Sequence, residues 1–239
     1  VAEIEAIAKG MTPMEQSKYF TDFIRTAPEG KLPPDSLKWL VTNVQSQNVN
    51  NKIQSYIGAP RGHSEFAGKE LEPKYQEIHD LMEQMYSKFK EDEVTAKDPS
   101  TPLNVLQQLA SNKGHRYKDV RMAIAQHPNA SPELLEDLVE TNPYHVAQNP
   151  NTPAEILEKL GSHSSNLTRT YVAYHPNTPT NVLMQFVTDS GEDVRSAVAG
   201  NTNLPPGGLQ KLATDQSKYI RIEVAKNPST SPKTLEQLT

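Results

Sequence analysis

The chain has 239 residues, with 24 Lys+Arg against 29 Asp+Glu and a net charge of −5. It has no cysteine, which excludes disulfides, thiolate metal sites, iron–sulfur clusters and cysteine nucleophiles. No apolar run approaches the roughly 18 residues that cross a bilayer, and the acidic balance argues against general phosphate binding.

The charge is unevenly placed. From residue 96 onward there are 13 Lys+Arg against 14 Asp+Glu, net −1; before it there are 11 against 15, net −4. The first part reads as a helical domain, residues 1–94. Ile4, Ile7 and Ala8 suggest a short first helix. Thr12-Pro13 starts a second, with threonine as cap, proline at the first helical position and Glu15 three after the cap. Tyr19, Phe20, Phe23 and Ile24 form its apolar stripe, and Ala27-Pro28-Glu29-Gly30 ends it. Pro34-Asp35-Ser36 opens another helix through Leu37, Trp39, Leu40, Val41 and Val44, which the polar run QSQNVNN interrupts before Ile57. Gly58 to Gly68 reads as a loop. From Pro73 a further helix places Tyr75, Ile78, Leu81, Met82, Met85, Tyr86 and Phe89 on one face, and the acidic Glu91-Asp92-Glu93 marks a junction.

Residues 95–239 repeat one sentence. It reads DPSTPLNVLQQL from Asp98, HPNASPELLEDL from His127, NPNTPAEILEKL from Asn149 and HPNTPTNVLMQF from His175. More worn copies start at Asn201 and Asn227. Aligned on the first proline, alanine lies three before it: Ala96, Ala125, Ala147, Ala173, Ala199 and Ala225. Leu106, Leu135, Leu157, Leu183, Leu209 and Leu235 lie seven after it, spaced by 29, 22, 26, 26 and 26 residues. Arg121, Arg169, Arg195 and Arg221 lie seven before it. Self-similarity at such a period predicts an all-α or mixed solenoid of about six repeats, the last truncated. Within each repeat, a Thr-Pro or Ser-Pro pair predicts a hydroxyl-capped helix, with Glu155 completing a capping box on Thr152. The preceding segments, VRMAIA, VRSAVA and IRIEVA, fit a short helix and a strand equally well.

The block V-R-x-x-V-A-x-N-P-x-T-P-x-x-L-x-x-L resembles the leucine-rich repeat variant family over about residues 95–239. It is more loosely similar to HEAT and armadillo solenoids. The resemblance implies an all-α, right-handed solenoid in which α-helices alternate with short 3₁₀-helices. A family member carries a cysteine-ligated iron–sulfur cluster; with no cysteine that feature does not carry over, and no cofactor or metal is expected. The copy at 201–212 departs from the pattern, because Leu204 replaces the hydroxyl and Gly207-Gly208 weaken the helix. That layer is expected to be the most pliable.

Equivalent positions of a solenoid line up, so Arg121, Arg169, Arg195 and Arg221 are expected to form a ladder that could meet phosphates or acids of a partner. The competing reading is architectural: each arginine pairs with a carboxylate or helix-end carbonyl, and Asp119 and Asp193, two residues before Arg121 and Arg195, favour it. His127 and His175 share a column with Asp98, Asn149, Asn201 and Asn227, which suits a turn or cap role; lying two layers apart, they are too distant for one metal ion. Tyr171 and Tyr174, with Tyr144 and Tyr219, are candidates for a recognition surface. No nucleophile, phosphate-loop or dinucleotide motif occurs.

The function expected is a non-enzymatic protein-interaction or structural scaffold module of a larger intracellular assembly, with a protein partner and no membrane. The alternatives are a nucleic-acid-binding repeat protein using the arginine ladder, a viral or phage structural component and, least supported, a hydrolase built on a histidine and carboxylates. The chain opens at Val1 without methionine and stops just after a repeat helix, so it is expected to be a piece of a longer polypeptide.

Overall fold

The computed structural model describes residues 1–28, 31–44, 46–58, 71–112 and 117–238. The predicted loop after Gly58, and Glu29-Gly30 of the turn expected to end the second helix, lie outside them. The chain forms two compact units, Val1–Thr95 with Asn112–Asp119, and Ala96–Ser111 with Val120–Thr239. All elements are helices, and the described residues contain no strand.

The first unit builds its core from helices α1 (Ala2–Ala8), α2 (Pro13–Thr26), α3 (Pro34–Asn43), α4 (Gln47–Ile57) and α5 (Pro73–Lys97). The Thr12 capping box forms: Thr12 accepts from the Glu15 amide, while the Glu15 carboxylate accepts from the Thr12 amide. Phe20, Ile24, Leu37, Leu40, Val49, Ile53, Tyr75 and Ile78 are buried in one cluster, with Trp39 on its edge. The polar run does break the helix: α3 ends at Asn43, and Ser46 caps α4 by accepting from the Val49 amide. Gly58 closes α4 at φ 74°, a left-handed conformation in which a Cβ would be strained. Helix α5 runs through Glu91-Asp92-Glu93, where Lys88 pairs with Asp92 and Lys90 with Glu93 one turn apart, and the boundary between the units follows at Thr95. Tyr86 is exposed, not part of the buried face.

The second unit is an α-solenoid whose repeats each contain two short helices. The first helices are α7 (Lys118–Ala125), α9 (Pro143–Gln148), α11 (Asn166–Tyr174), α13 (Glu192–Gly200) and α15 (Lys218–Lys226). The second helices are α6 (Leu103–Ala110), α8 (Pro132–Leu138), α10 (Ala154–Gly161), α12 (Thr180–Phe186), α14 (Pro206–Leu212) and α16 (Pro232–Glu236). Successive first helices stack, α9 on α11, α11 on α13 and α13 on α15. The ambiguous segments are therefore α-helices. The expected 3₁₀ alternation is not what forms: the first helices are six to nine residues of α-helix, and Tyr117 is the sole 3₁₀ residue among those described. Ala125, Ala147, Ala173 and Ala199, with Leu106, Leu135, Leu157, Leu183 and Leu209, are almost fully buried. The small alanine lets one layer approach the next, and each leucine removed from water contributes roughly 1.5–3 kcal/mol.

The hydroxyls of the repeat do two different jobs. Ser131 and Ser231 cap their helices, accepting from the Leu134 and Thr234 amides. The threonines do not, and the capping box expected at Thr152 and Glu155 is absent. Thr152 and Thr178 instead donate to the carbonyls of Val146 and Val172, six residues back, and their helices start one residue later. Both threonines are buried, methyl included, so the hydroxyl ties the second helix to the first across the connecting turn.

In the layer at 201–212, Leu204 takes the threonine position and is buried. A Cβ on Gly208 would lie 2.6 Å from Leu204 Cδ1 and 3.1 Å from Met184 Sδ, so this glycine makes room for the larger side chain. A Cβ on Gly207 would meet nothing within 4 Å. Gly207→Ala is expected to stabilise the protein by about 0.5–1 kcal/mol and Gly208→Ala to destabilise it by about 1–3 kcal/mol, read from urea midpoints. Equal shifts for the two would contradict the packing role of Gly208.

Candidate functional site

Two polar columns run through the second unit. The first is built by the residue before the first proline. Asn149 Nδ2 donates to the carbonyls of Ala125 (2.7 Å) and His127 (3.0 Å) in the preceding layer. Asn201 does the same to Ala173 and His175, and Asn227 to Ala199 and Asn201. Each Oδ1 accepts from the amide two residues on, at 2.9 Å. Histidine reproduces two of these three bonds with its two nitrogens, leaving out the one to the alanine carbonyl. His175 Nδ1 accepts from the Asn177 amide (3.0 Å) while Nε2 lies 2.9 Å from the Asn149 carbonyl; His127 repeats this with Asn129 and Asp98. Asn151 and Asn203 add a parallel column, each donating to the proline carbonyl one layer back at 2.6 Å. The turn role predicted for these residues is present, and the same side chains also join the layers.

The second column holds the arginines. Arg169 sets Nε and Nη2 on the two carboxylate oxygens of Asp189, at 2.8 and 2.9 Å, and directs Nη1 at the carbonyls of His163 and Ser164. Arg195 repeats the arrangement on Asp215 with the carbonyls of Asp189 and Ser190. Arg221 Nη1 caps the carbonyls of Asp215 and Gln216. Arg121 is buried, and burial pushes its guanidinium down from the ordinary value. Arg195 does not pair with Asp193, the nearby acid that the sequence pointed to; it and Arg169 reach carboxylates twenty residues further on, in the turn that opens the next repeat. A signal for this exists in the chain: where Pro143 stands in the arginine column, His163 stands in the acid column. Burial pushes the Asp189 and Asp215 carboxyls up. The arginine forks and the backbone amides of Gly191 and Ser217 outweigh it and hold both below the ordinary carboxylate value. Bidentate Arg–carboxylate geometry of this kind fixes orientation as well as charge.

The tyrosines are left outside these columns. Tyr171 packs its ring on Tyr144, with centroids 5.4 Å apart, and is half-buried. Tyr174 is 60% exposed, Leu167 on the same helix 52%, and Tyr219 on α15 63%. In the first unit, Tyr117 donates to Asp92 at 2.6 Å and Asp92 also receives Lys88; burial and that carboxylate push the phenol up to about 12. A phenol so placed stays protonated at neutral pH and supplies no base. Among the described residues no cluster of three His, Asp or Glu side chains is placed to hold a metal ion, and no helix is long and apolar enough to cross a membrane.

Stacked helix pairs about 26 residues apart, joined by asparagine and arginine columns, define an α-helical repeat protein. Residues 90–146 match the family model of the Leucine Rich Repeat Variant domain, and the layers beyond that stretch carry on the same columns. Comparison with curated proteins and with solved structures finds no match.

Proposed function

We propose that the chain is a non-enzymatic protein-interaction module whose partner is met by the exposed aromatic side chains of the first helices. Tyr174 of α11 carries the contact, with half-buried Tyr171 beside it on the same helix and Tyr219 of α15 extending it. One observation supports this reading above the others. The polar side chains of the repeat columns are committed to neighbouring layers, whereas Tyr174 and Tyr219 stand in solvent. Tyrosine presents a large rigid surface and a polar tip at low entropic cost, which suits recognition of a protein surface. The same bonds count against the arginine ladder as a phosphate site, since Arg169 and Arg195 already fill their forks with carboxylates.

The test uses residues 1–239 as bait in native lysate, wild type against Tyr171→Ala plus Tyr174→Ala. The double variant is expected to lose a stoichiometric partner at least tenfold while its Tm stays within a few degrees. Equal recovery by both proteins would refute the assignment. So would nucleic acid that is recovered in a salt-sensitive way without protein.

A further inference from the structure

We infer that His175 is an acid-sensitive joint between two layers of the solenoid, closed when its ring is neutral and opened when the ring takes up a proton. The geometry leaves the ring one workable form. The Asn177 amide can only donate, so Nδ1 must present its lone pair; the Asn149 carbonyl can only accept, so Nε2 must carry the hydrogen. A second proton has to enter at Nδ1, where it would face the N–H of Asn177 and replace an attraction with a repulsion. It would also put a charge on a side chain that is 4% exposed.

Asparagine does the same work elsewhere in the column without this liability. Asn149, Asn201 and Asn227 donate through Nδ2 and accept through Oδ1, and neither group titrates. The groups around His175 offer a proton no compensation. Asn149 faces it from the preceding layer, Asn177 and Thr178 from its own turn, and Asn201 from the following layer. Burial pushes its pKa below the ordinary value, with the Asn149 carbonyl acting the other way; among the described residues no charged side chain contributes. His127 makes the same two bonds but has the Asp98 carboxylate beside it, so His175 is the bare joint.

The sign follows from the lowered value. Above the unfolded-state value of about 6.5 the joint contributes its full stability, and below it the open state binds the proton first and the joint weakens until the folded ring also titrates. His175 directly ends α11, so acid would loosen the helix that carries Tyr171 and Tyr174. That last consequence rests on the proposed function; the joint itself does not.

Hydrogen exchange on the full chain reads the joint without any partner. After correction for intrinsic rates, opening at the Asn177 and Thr178 amides is expected to rise up to about tenfold per pH unit below roughly 6.5. His175→Asn should hold both amides closed across the same range, and Asn201→His should move an acid-sensitive opening to the next turn, at Asn203. A wild-type profile that is flat between pH 7.5 and 5 would overturn the inference, as would the same rise in His175→Asn. If His175→Asn does not fold, ring ¹⁵N shifts of the wild type decide: the Nε2–H tautomer at neutral pH supports the joint, and the Nδ1–H tautomer sinks it.

Discussion

Arg195→Ala is expected to cost about 2–4 kcal/mol, one of the two largest single-residue losses expected in the repeat unit. The arginine joins three things: the Asp215 carboxylate through two parallel bonds, and the carbonyls of Asp189 and Ser190 through Nη1. Its side chain is 16% exposed and that of Asp215 9%, so the pair is mostly out of water. Removing the cation leaves a carboxylate that keeps the Ser217 amide but loses its counter-charge, the situation in which a broken ion pair is most costly. Lysine would restore charge without the fork, and Arg195→Lys should recover only part of the loss. A double-mutant cycle with Asp215→Asn is expected to return a coupling of about 1–3 kcal/mol. The pair also has its own pH signature. Asp215 lies below the ordinary carboxylate value of 3.8, so its contribution is complete above that value and disappears as pH falls through the folded one. Acid loss from this source therefore sits well below the window of His175. An Arg195→Ala protein with an unchanged Tm would mean that the arginine serves a partner, not the layers.

The sequence shows most plainly what every layer must repeat. A solenoid buries one thin core, so the alanine that lets layers touch and the leucine that fills the space recur in fixed columns, and Ala173, Ala199, Leu183 and Leu209 could be read as core directly. Short segments were harder. Val120, Met122 and Ile124 alternate as a strand would, yet the segment is an α-helix that buries Val120 and Ile124, four residues apart on one face. The arginine partners were hidden by distance. Asp193 lies two residues before Arg195 and is close in sequence, but positions two apart on a helix face away from each other, and Arg195 reaches the turn that holds Asp215. Hydroxyl roles were hidden by chemistry, because a Thr-Pro pair reads as an N-cap whether the oxygen accepts or donates. The Val146 carbonyl beside the Thr152 hydroxyl can only accept, so here the hydroxyl donates. The acidic run at 91–93 lies just before the unit boundary at Thr95, yet its charge does not end α5, because Lys88 and Lys90 pair with Asp92 and Glu93.

Asn201→Leu is the second large effect, at about 3–5 kcal/mol, although leucine has similar size and the site is buried. Asn201 uses all of its polar groups. Nδ2 meets the carbonyls of Ala173 and His175, and Oδ1 takes the amide of Asn203. Leucine would leave the Ala173 carbonyl, the Asn203 amide and one lone pair of His175 unpaired between two layers, and each such group costs about 1–3 kcal/mol. The apolar gain of the new side chain offsets part of this, which keeps the expectation below the simple total. Asn201→His separates shape from bonding. Histidine at His127 and His175 keeps the bond to the same-column carbonyl of the preceding layer through Nε2 and the amide bond through Nδ1, but not the second bond to an alanine carbonyl, so this variant should retain part of the stability at pH 7.5 that Asn201→Leu loses. Asn201→Asp is the complementary probe. It keeps the acceptor for Asn203 and removes the donor, setting a carboxylate against two carbonyls, and should be at least as damaging as leucine. Urea unfolding of the three variants at one pH orders them. The expected order of stability is histidine first, then leucine, then aspartate. A leucine variant as stable as the histidine one would mean that packing alone holds the layers and that the asparagine column is incidental.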